Sequence, residues 1–237
     1  MEFIQIPPEP SELRALLITA NPRGVILSMS RSADAEVVAS LKIPAVGIGV
    51  RIPHIPSFST TYSDLLVLAF QKAMEVGHSR ITVPLWKKGP DIYDRMAAEM
   101  EKRMSGEPIS FSVRYNLPFI QSTSAEGYHV ALHELFRYTP PTCIICSEFP
   151  DYLMTISFLQ ARKLRVPDDI SIILLAQDEH LEFIVPSIAH FSLYTDDTIH
   201  PVFQSLKKQM SGLLSHEQTV LLPAWEPGDS LRAPKSR

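Results

Sequence analysis

The chain has 237 residues, is 45% hydrophobic and 20% charged, and carries a formal charge of −4 at neutral pH. That is enough chain to bury one large core or two smaller ones. It excludes a nucleic-acid surface built on clustered Lys and Arg, because basic residues are scattered apart from short pairs such as Lys87–Lys88 and Lys207–Lys208.

In chain order, residues 3–6 read as a short strand stopped by Pro7-Pro8. Leu13, Leu16, Leu17 and Ala20 mark a helical face that ends at Asn21-Pro22. Residues 24–29 form a buried strand, 35–41 a short helix and 43–50 the next strand. Leu66, Ala69, Phe70 and Ala73 share the inward face of a helix capped by Gly77. Strands follow at 80–85 and 109–115, with a helix at 91–104 between them. A helix at 126–136, a strand at 142–146 and a helix at 151–163, opened by Pro150, come next. Strands at 170–175 and 188–193, a helix at 197–210 and a last strand at 219–222 complete the chain. Strands separated by helices of this length imply parallel sheets with helices on both faces. There are too many strands for one compact lobe, so two doubly wound lobes are expected.

Two constellations invite a chemical reading. Cys143 and Cys146 have redox or zinc spacing, but on a strand residues three apart point to opposite faces, and no second pair is present. Buried thiols in a reducing cytoplasm are the expectation. His129 and His133 lie one turn apart on a helix whose buried stripe is Tyr128, Ala131, Leu132, Leu135 and Phe136, which leaves both facing water. The chain has no Gly-x-Ser-x-Gly elbow, no phosphate loop and no dinucleotide-binding turn, so no enzyme activity and no cofactor are expected. No run is apolar for a membrane span, and residues 1–8 lack the pattern of a secretory signal.

Four motifs in order carry a resemblance. Gly77-His78-Ser79-Arg80-Ile81 steps from a helix into a strand, and Val166-Pro167-Asp168-Asp169-Ile170-Ser171-Ile172 steps into another. Pro186-Ser187-Ile188-Ala189-His190-Phe191 occupies a return strand, and Tyr138-Thr139-Pro140-Pro141-Thr142 a helix exit. From Gly24 to Asp229 the chain resembles the periplasmic-binding-protein-like type I sensor domain of LacI/GalR transcriptional regulators, including a subgroup with winged-helix heads. The resemblance implies a first lobe at 1–84 plus 191–216 and a second at 85–190 plus 217–237. It leaves the family's first strand and helix without a counterpart, and residues 3–6 align with its second strand. The DNA-binding head is likewise expected outside these residues. Function by resemblance is effector binding and homodimerisation, with a sugar or sugar derivative controlling an attached head. The alternatives are a transporter-associated sugar-binding protein, an enzyme on a doubly wound fold, and a dimerisation domain that senses nothing.

Ligands of open parallel sheets sit beyond the carboxyl ends of the strands. The loops there carry Ser28, Arg31, Arg51, Trp86, Glu148, Gln177 and Asp178. Arg95 matches an arginine that the family keeps near the start of the second lobe's first helix, where it reaches hydroxyls or carboxylates. Its other reading is a solvated helix residue. Trp86 stacks on a sugar face or packs internally, and Glu148 accepts from a hydroxyl or caps a helix. Arg31, Arg51, Lys87, Lys88 and Arg95 together tilt the site toward an acidic ligand. At Glu148-Phe149 and Leu175-Ala176-Gln177 the chain departs from the family's Asn-Asp and Phe-Asp-Asp, so ligand identity does not carry over.

Overall fold

The computed structural model describes residues 5–28, 31–49, 51–86, 90–120, 124–193, 195–213 and 216–235. In chain order the first elements are α1 (Pro10–Ala20), β1 (Val25–Ser28), α2 (Ser32–Ser40), β2 (Ala45–Ile48), β3 (Ser57–Ser59) and α3 (Tyr62–Glu75). They are followed by β4 (Ile81–Thr82), β5 (Leu85–Trp86), α4 (Pro90–Arg103), α5 (Val113–Asn116), β6 (Phe119–Ile120), α6 (Ala125–Tyr138) and β7 (Cys143–Cys146). The last are α7 (Phe149–Ala161), β8 (Ser171–Leu174), a 3-10 turn (Glu179–Phe183), β9 (Ala189–Ser192), α8 (Asp196–Met210), β10 (Gln218–Val220) and β11 (Ala224–Glu226).

The chain divides into two compact units, Met1–Thr60 with Leu193–Pro223, and Thr61–Ser192 with Ala224–Arg237. The lobe boundaries expected by resemblance lie at 84, 190 and 216. Helix α3 and β4 belong to the second unit, and β10 pairs β3 in the first.

The first unit holds a parallel sheet ordered β1-β2-β3-β10. Leu13, Leu17, Leu27, Ala35 and Val38 form one apolar cluster, which brings α1 and α2 onto one layer. Val46, Ile48, Phe58 and Val202 form a second cluster, which brings in α8. Gly47 is required where it stands, because a Cβ would lie 2.8 Å from Ser57 Oγ.

The second unit holds a sheet ordered β11-β9-β8-β7-β4, parallel except for the β11–β9 pair, and a separate parallel pair β5-β6. Its core gathers Tyr128 and Leu132 of α6, Phe158 and Leu159 of α7, and Ile144, Ile172 and Leu174 of the sheet. Helix α3 begins at Thr61, whose Oγ1 accepts from the Asp64 amide at 3.1 Å while the Asp64 carboxylate accepts from the Thr61 amide at 3.1 Å. Leu66, Ala69, Phe70 and Ala73 are fully buried, the face expected from periodicity. Gly77 follows at φ +100°, a left-handed backbone that suits glycine. The tail after β11 is pinned to the sheet by buried Ser230, which accepts from Ala189 N and donates to Ile172 O at 2.7 Å. At Gly228 a Cβ would lie 2.4 Å from backbone atoms, so only glycine permits that approach.

Three expectations change. Residues 80–85 are not one strand: Pro84 has no amide to donate, the ladder breaks there, and β4 and β5 join different sheets. Residues 109–115 form no strand either. Buried Asn116 accepts from Ser112 N and donates to Ile81 O, each at 2.7 Å, and the single helical turn α5 results. The strand expected at 3–6 falls mostly outside the described residues, and Gln5 and Ile6 carry no strand.

Candidate functional site

The second unit places a polar network beyond the carboxyl ends of its strands. Strand β7 ends at Cys146, and Ser147 and Glu148 lead into α7. Asp151, 1% exposed, occupies the first turn of that helix. Its carboxylate accepts from Trp86 Nε1 at 2.6 Å and from the Glu148 amide at 3.1 Å. No cation partners it among the described residues, so burial pushes its pKa up while those hydrogen bonds pull it down. The Trp86 indole is therefore held at its edge by Asp151, and its ring lies 5.6 Å from that of Tyr128. The ring is half-buried, a fixed aromatic surface rather than a free side chain.

Beside this pair the Tyr62 hydroxyl, from the first turn of α3, is hydrogen-bonded to Ser147 Oγ. Burial raises the Tyr62 pKa. Strand β8 ends at Leu174, and Asp178 follows as the cap of the 3-10 turn. Its carboxylate accepts from His180 N at 2.9 Å and pairs with His180 Nδ1 at 2.7 Å, which lowers the Asp178 pKa and raises that of His180. The His180 ring stacks on Phe149 at 5.2 Å. Gln177 and Glu148 are exposed, and Arg95 is exposed on α4.

In the first unit Ser28 closes β1 and is exposed. Arg31 is committed: it donates to the carbonyls of Pro8 (2.7 Å) and Pro7 (3.2 Å), and it grips Asp34 through Nε and Nη2. That use ties residues 7–8 to the start of α2. Arg51 is exposed after β2. Ser59, at the end of β3, has a buried hydroxyl with no hydrogen-bond partner among the described residues. Lys87 and Lys88 lie outside the described residues.

Trp86, Glu148 and Asp178 thus fall in one unit, with Trp86 and Glu148 bridged by Asp151. Ser28, Arg31 and Arg51 fall in the other. The sequence reading missed Tyr62, Asp151 and Ser59. Asp151 had a legible sign, an acidic residue three places after Glu148 at a helix start. Tyr62 and Ser59 had none, because each matters through a contact distant in sequence or the lack of one.

Cys143 and Cys146 are fully buried free thiols on β7, and burial pushes the Cys146 thiol up to about 12, far from a reactive thiolate. The histidines of α6 do not both face water as expected. His129 is half-buried and bonded to Met154 O at 3.1 Å, and His133 meets Arg162 at 2.7 Å and the Phe158 ring at 5.2 Å. Among the described residues no group of three or more His, Cys, Asp or Glu is placed to hold a metal ion. No helix there is long and apolar enough to cross a membrane.

The model of the periplasmic binding protein-like domain family matches residues 70–231, more than half of the chain. The chain belongs to that family. Its fold is that of solved LacI-family regulators of low sequence identity. A LacI family transcriptional regulator from Mycobacterium smegmatis is 18% identical with a TM-score of 0.64, over 95% of this chain and 84% of that one. A LacI family regulator from Enterococcus faecium with bound ribose is 16% identical with a TM-score of 0.68, over 94% and 85%. A sugar-binding LacI family regulator from Escherichia coli complexed with phosphate is 13% identical with a TM-score of 0.69, over 93% and 81%. No curated relative matches the chain by sequence.

Proposed function

We propose that this chain is the effector-binding and dimerisation part of a LacI/GalR-type transcriptional regulator, acting in the cytoplasm without catalysis. The observation that carries the reading is the Trp86–Asp151–Glu148 arrangement at the start of α7. There a locked aromatic face stands beside an exposed carboxylate and the Tyr62–Ser147 hydroxyl pair. A flat apolar surface rimmed with acceptors and hydroxyls suits a sugar ring, whose faces are apolar and whose edges are hydroxyls. The bound ribose of the Enterococcus faecium regulator supports the same ligand class. The basic tilt toward acidic ligands is weaker than the residue count suggests, because the donors of Arg31 are already engaged. DNA contact is assigned to a separate head, since a formal charge of −4 with scattered basic residues provides no phosphate-tracking surface.

A thermal-shift screen of pentoses, hexoses, sugar acids and sugar phosphates tests this. A ligand that binds only the folded state stabilises it by about 2.7 kcal/mol at a hundredfold excess over Kd. At least one sugar raises Tm, is recovered unchanged, and loses its effect in Trp86→Ala, while Cys143→Ser keeps it. A hit that is chemically converted makes the protein an enzyme. A screen without hits on the folded protein, with the dimer intact, leaves the dimerisation role alone.

A further inference from the structure

A cavity of the second unit, about 1070 Å³, is lined by none of Trp86, Arg95, Glu148, Gln177 or Asp178. It is a groove between α6 and the segment carrying α5 and β6. Its volume is at the upper end of ordinary ligand pockets, roughly 300–1,000 Å³. On the α6 side, Gly127 and Ala131 are one turn apart, and their small side chains give the groove its depth. Val130 and Tyr138 stand beside them and are 56% and 72% exposed, unusual for large apolar side chains on one helix.

The opposite wall is held in place by its own hydrogen bonds. Tyr93 donates to Leu117 O at 2.6 Å and its ring lies 4.9 Å from that of Phe119. Asn116 ties the segment to β4 through Ile81 O, and Thr82 Oγ1 donates to Tyr115 O at 2.9 Å. A wall bonded to the sheet cannot close onto α6 without breaking those bonds, so the groove stays open. Tyr115, which lines it, has a buried hydroxyl with no hydrogen-bond partner among the described residues.

Its charge points to a ligand class. Glu126 and Glu134 line the groove from α6 and Arg114 from the other wall, while Arg137 in the last turn of α6 lies over the Tyr138 ring at 5.2 Å. No ion pair engages either glutamate among the described residues. The carboxyl end of α6 at Tyr138 and Thr139, with its partial negative charge, closes the groove near Glu134. The two carboxylates and the aromatic faces of Tyr93 and Phe119 favour a cation.

We propose that this groove is a second ligand site, selective for amphipathic amines that carry an aromatic body and an ammonium group. The body lies against Val130, Ala131 and Phe119, and the ammonium faces Glu134 and the end of α6. The site is separate from the sugar surface at Trp86, and the proposal does not depend on that reading.

The test pairs tryptamine with indole-3-acetate, which share a ring and differ in charge, using calorimetry and amide NMR shifts on the whole chain. Tryptamine binds saturably, with shifts centred on α6 and residues 112–120, and indole-3-acetate binds at least tenfold more weakly, a difference of about 1.4 kcal/mol. Glu134→Gln weakens tryptamine several-fold. Val130→Arg abolishes its binding without unfolding the chain, because the substituted position is already exposed, and Ala131→Phe fills the groove to the same effect. No saturable binding at millimolar tryptamine, equal binding of both probes, or tryptamine binding unchanged in a folded Val130→Arg protein overturns the proposal.

Discussion

The two compact units use the same architecture to different depth. In the second, the central strands β7 and β8 are buried along their whole length, and one aromatic-rich core joins α6, α7 and the sheet. In the first, the inner strands β2 and β3 are buried as well, but the edge strand β1 is only partly buried, and the apolar side chains fall into two smaller clusters. A sheet whose outer strand shields little of its own surface opens more readily than one closed on both sides by helices. The comparison predicts that the first unit opens at β1 more readily than the second does at β7 and β8.

The largest break in this comparison comes from the cores. Phe158 lies against the rings of His129, His133 and Phe136 and beneath the Arg162 guanidinium. Phe158→Ala removes that whole assembly and costs about 3–5 kcal/mol. Leu27→Ala, on the partly covered β1, falls nearer the low end of about 2–5 kcal/mol, because its surroundings collapse more easily. Urea melts of both variants check the order, and amide exchange in the parent should protect β7 and β8 more than β1.

A smaller effect sharpens the comparison at the site. Asp151→Ala strips the acceptor from Trp86 Nε1 and from the Glu148 amide, leaving donors unsatisfied at about 1–3 kcal/mol. It also frees the Trp86 ring, so fluorescence anisotropy of that indole drops along with Tm.

Two buried carboxylates, one per unit, give opposite pH dependence. Asp34, hydrogen-bonded by Arg31, has its pKa lowered from 3.8, so it contributes stability above that value and loses it as pH falls through the lowered one. Asp151 has its pKa raised by burial, so its contribution is present below 3.8 and is lost as pH rises through the raised value. The stability lost in Asp34→Asn therefore grows with rising pH, whereas that lost in Asp151→Asn shrinks. Denaturant midpoints across acidic pH read both slopes, and parallel slopes would remove the distinction.

The smallest change is expected on the surface. Arg232 and Lys235 reach Asp168 and Asp169 at 3.1 and 2.8 Å, an exposed network that solvent and salt screen. Arg232→Ala leaves Tm unchanged within error, while Ser230→Val, two residues earlier, lowers it by breaking the buried bonds to β8 and β9.

Much of this was legible from residue order. The alternation of apolar periods located α1, α3, α6, α7, α8 and the strands β1, β2, β7, β8 and β9, because each repeats its burial at a fixed spacing along a single element. The buried cysteines followed from their place on a strand. Of the candidate ligand residues, the sequence pointed to the loops after the strands, and Trp86, Glu148 and Asp178 stand there. It did not distinguish Arg31, whose donors serve the fold, from residues with exposed polar groups. Pattern alone also misread residues 109–115, where apolar alternation persists in a segment that Asn116 holds out of any sheet.

Local sequence determined most of the helices and strands, where α3 starts and stops, and the parallel pairing of the inner strands of both sheets. The tertiary structure alone decided that the chain divides after Thr60, Ser192 and Pro223. It alone decided that Asp151 locks Trp86, and that the wall bonded to β4 holds a groove open beside α6. The physical reason is range. Periodicity and capping act within a few residues, whereas a buried carboxylate, a broken ladder or an uncollapsed groove depends on partners brought together from tens of residues away.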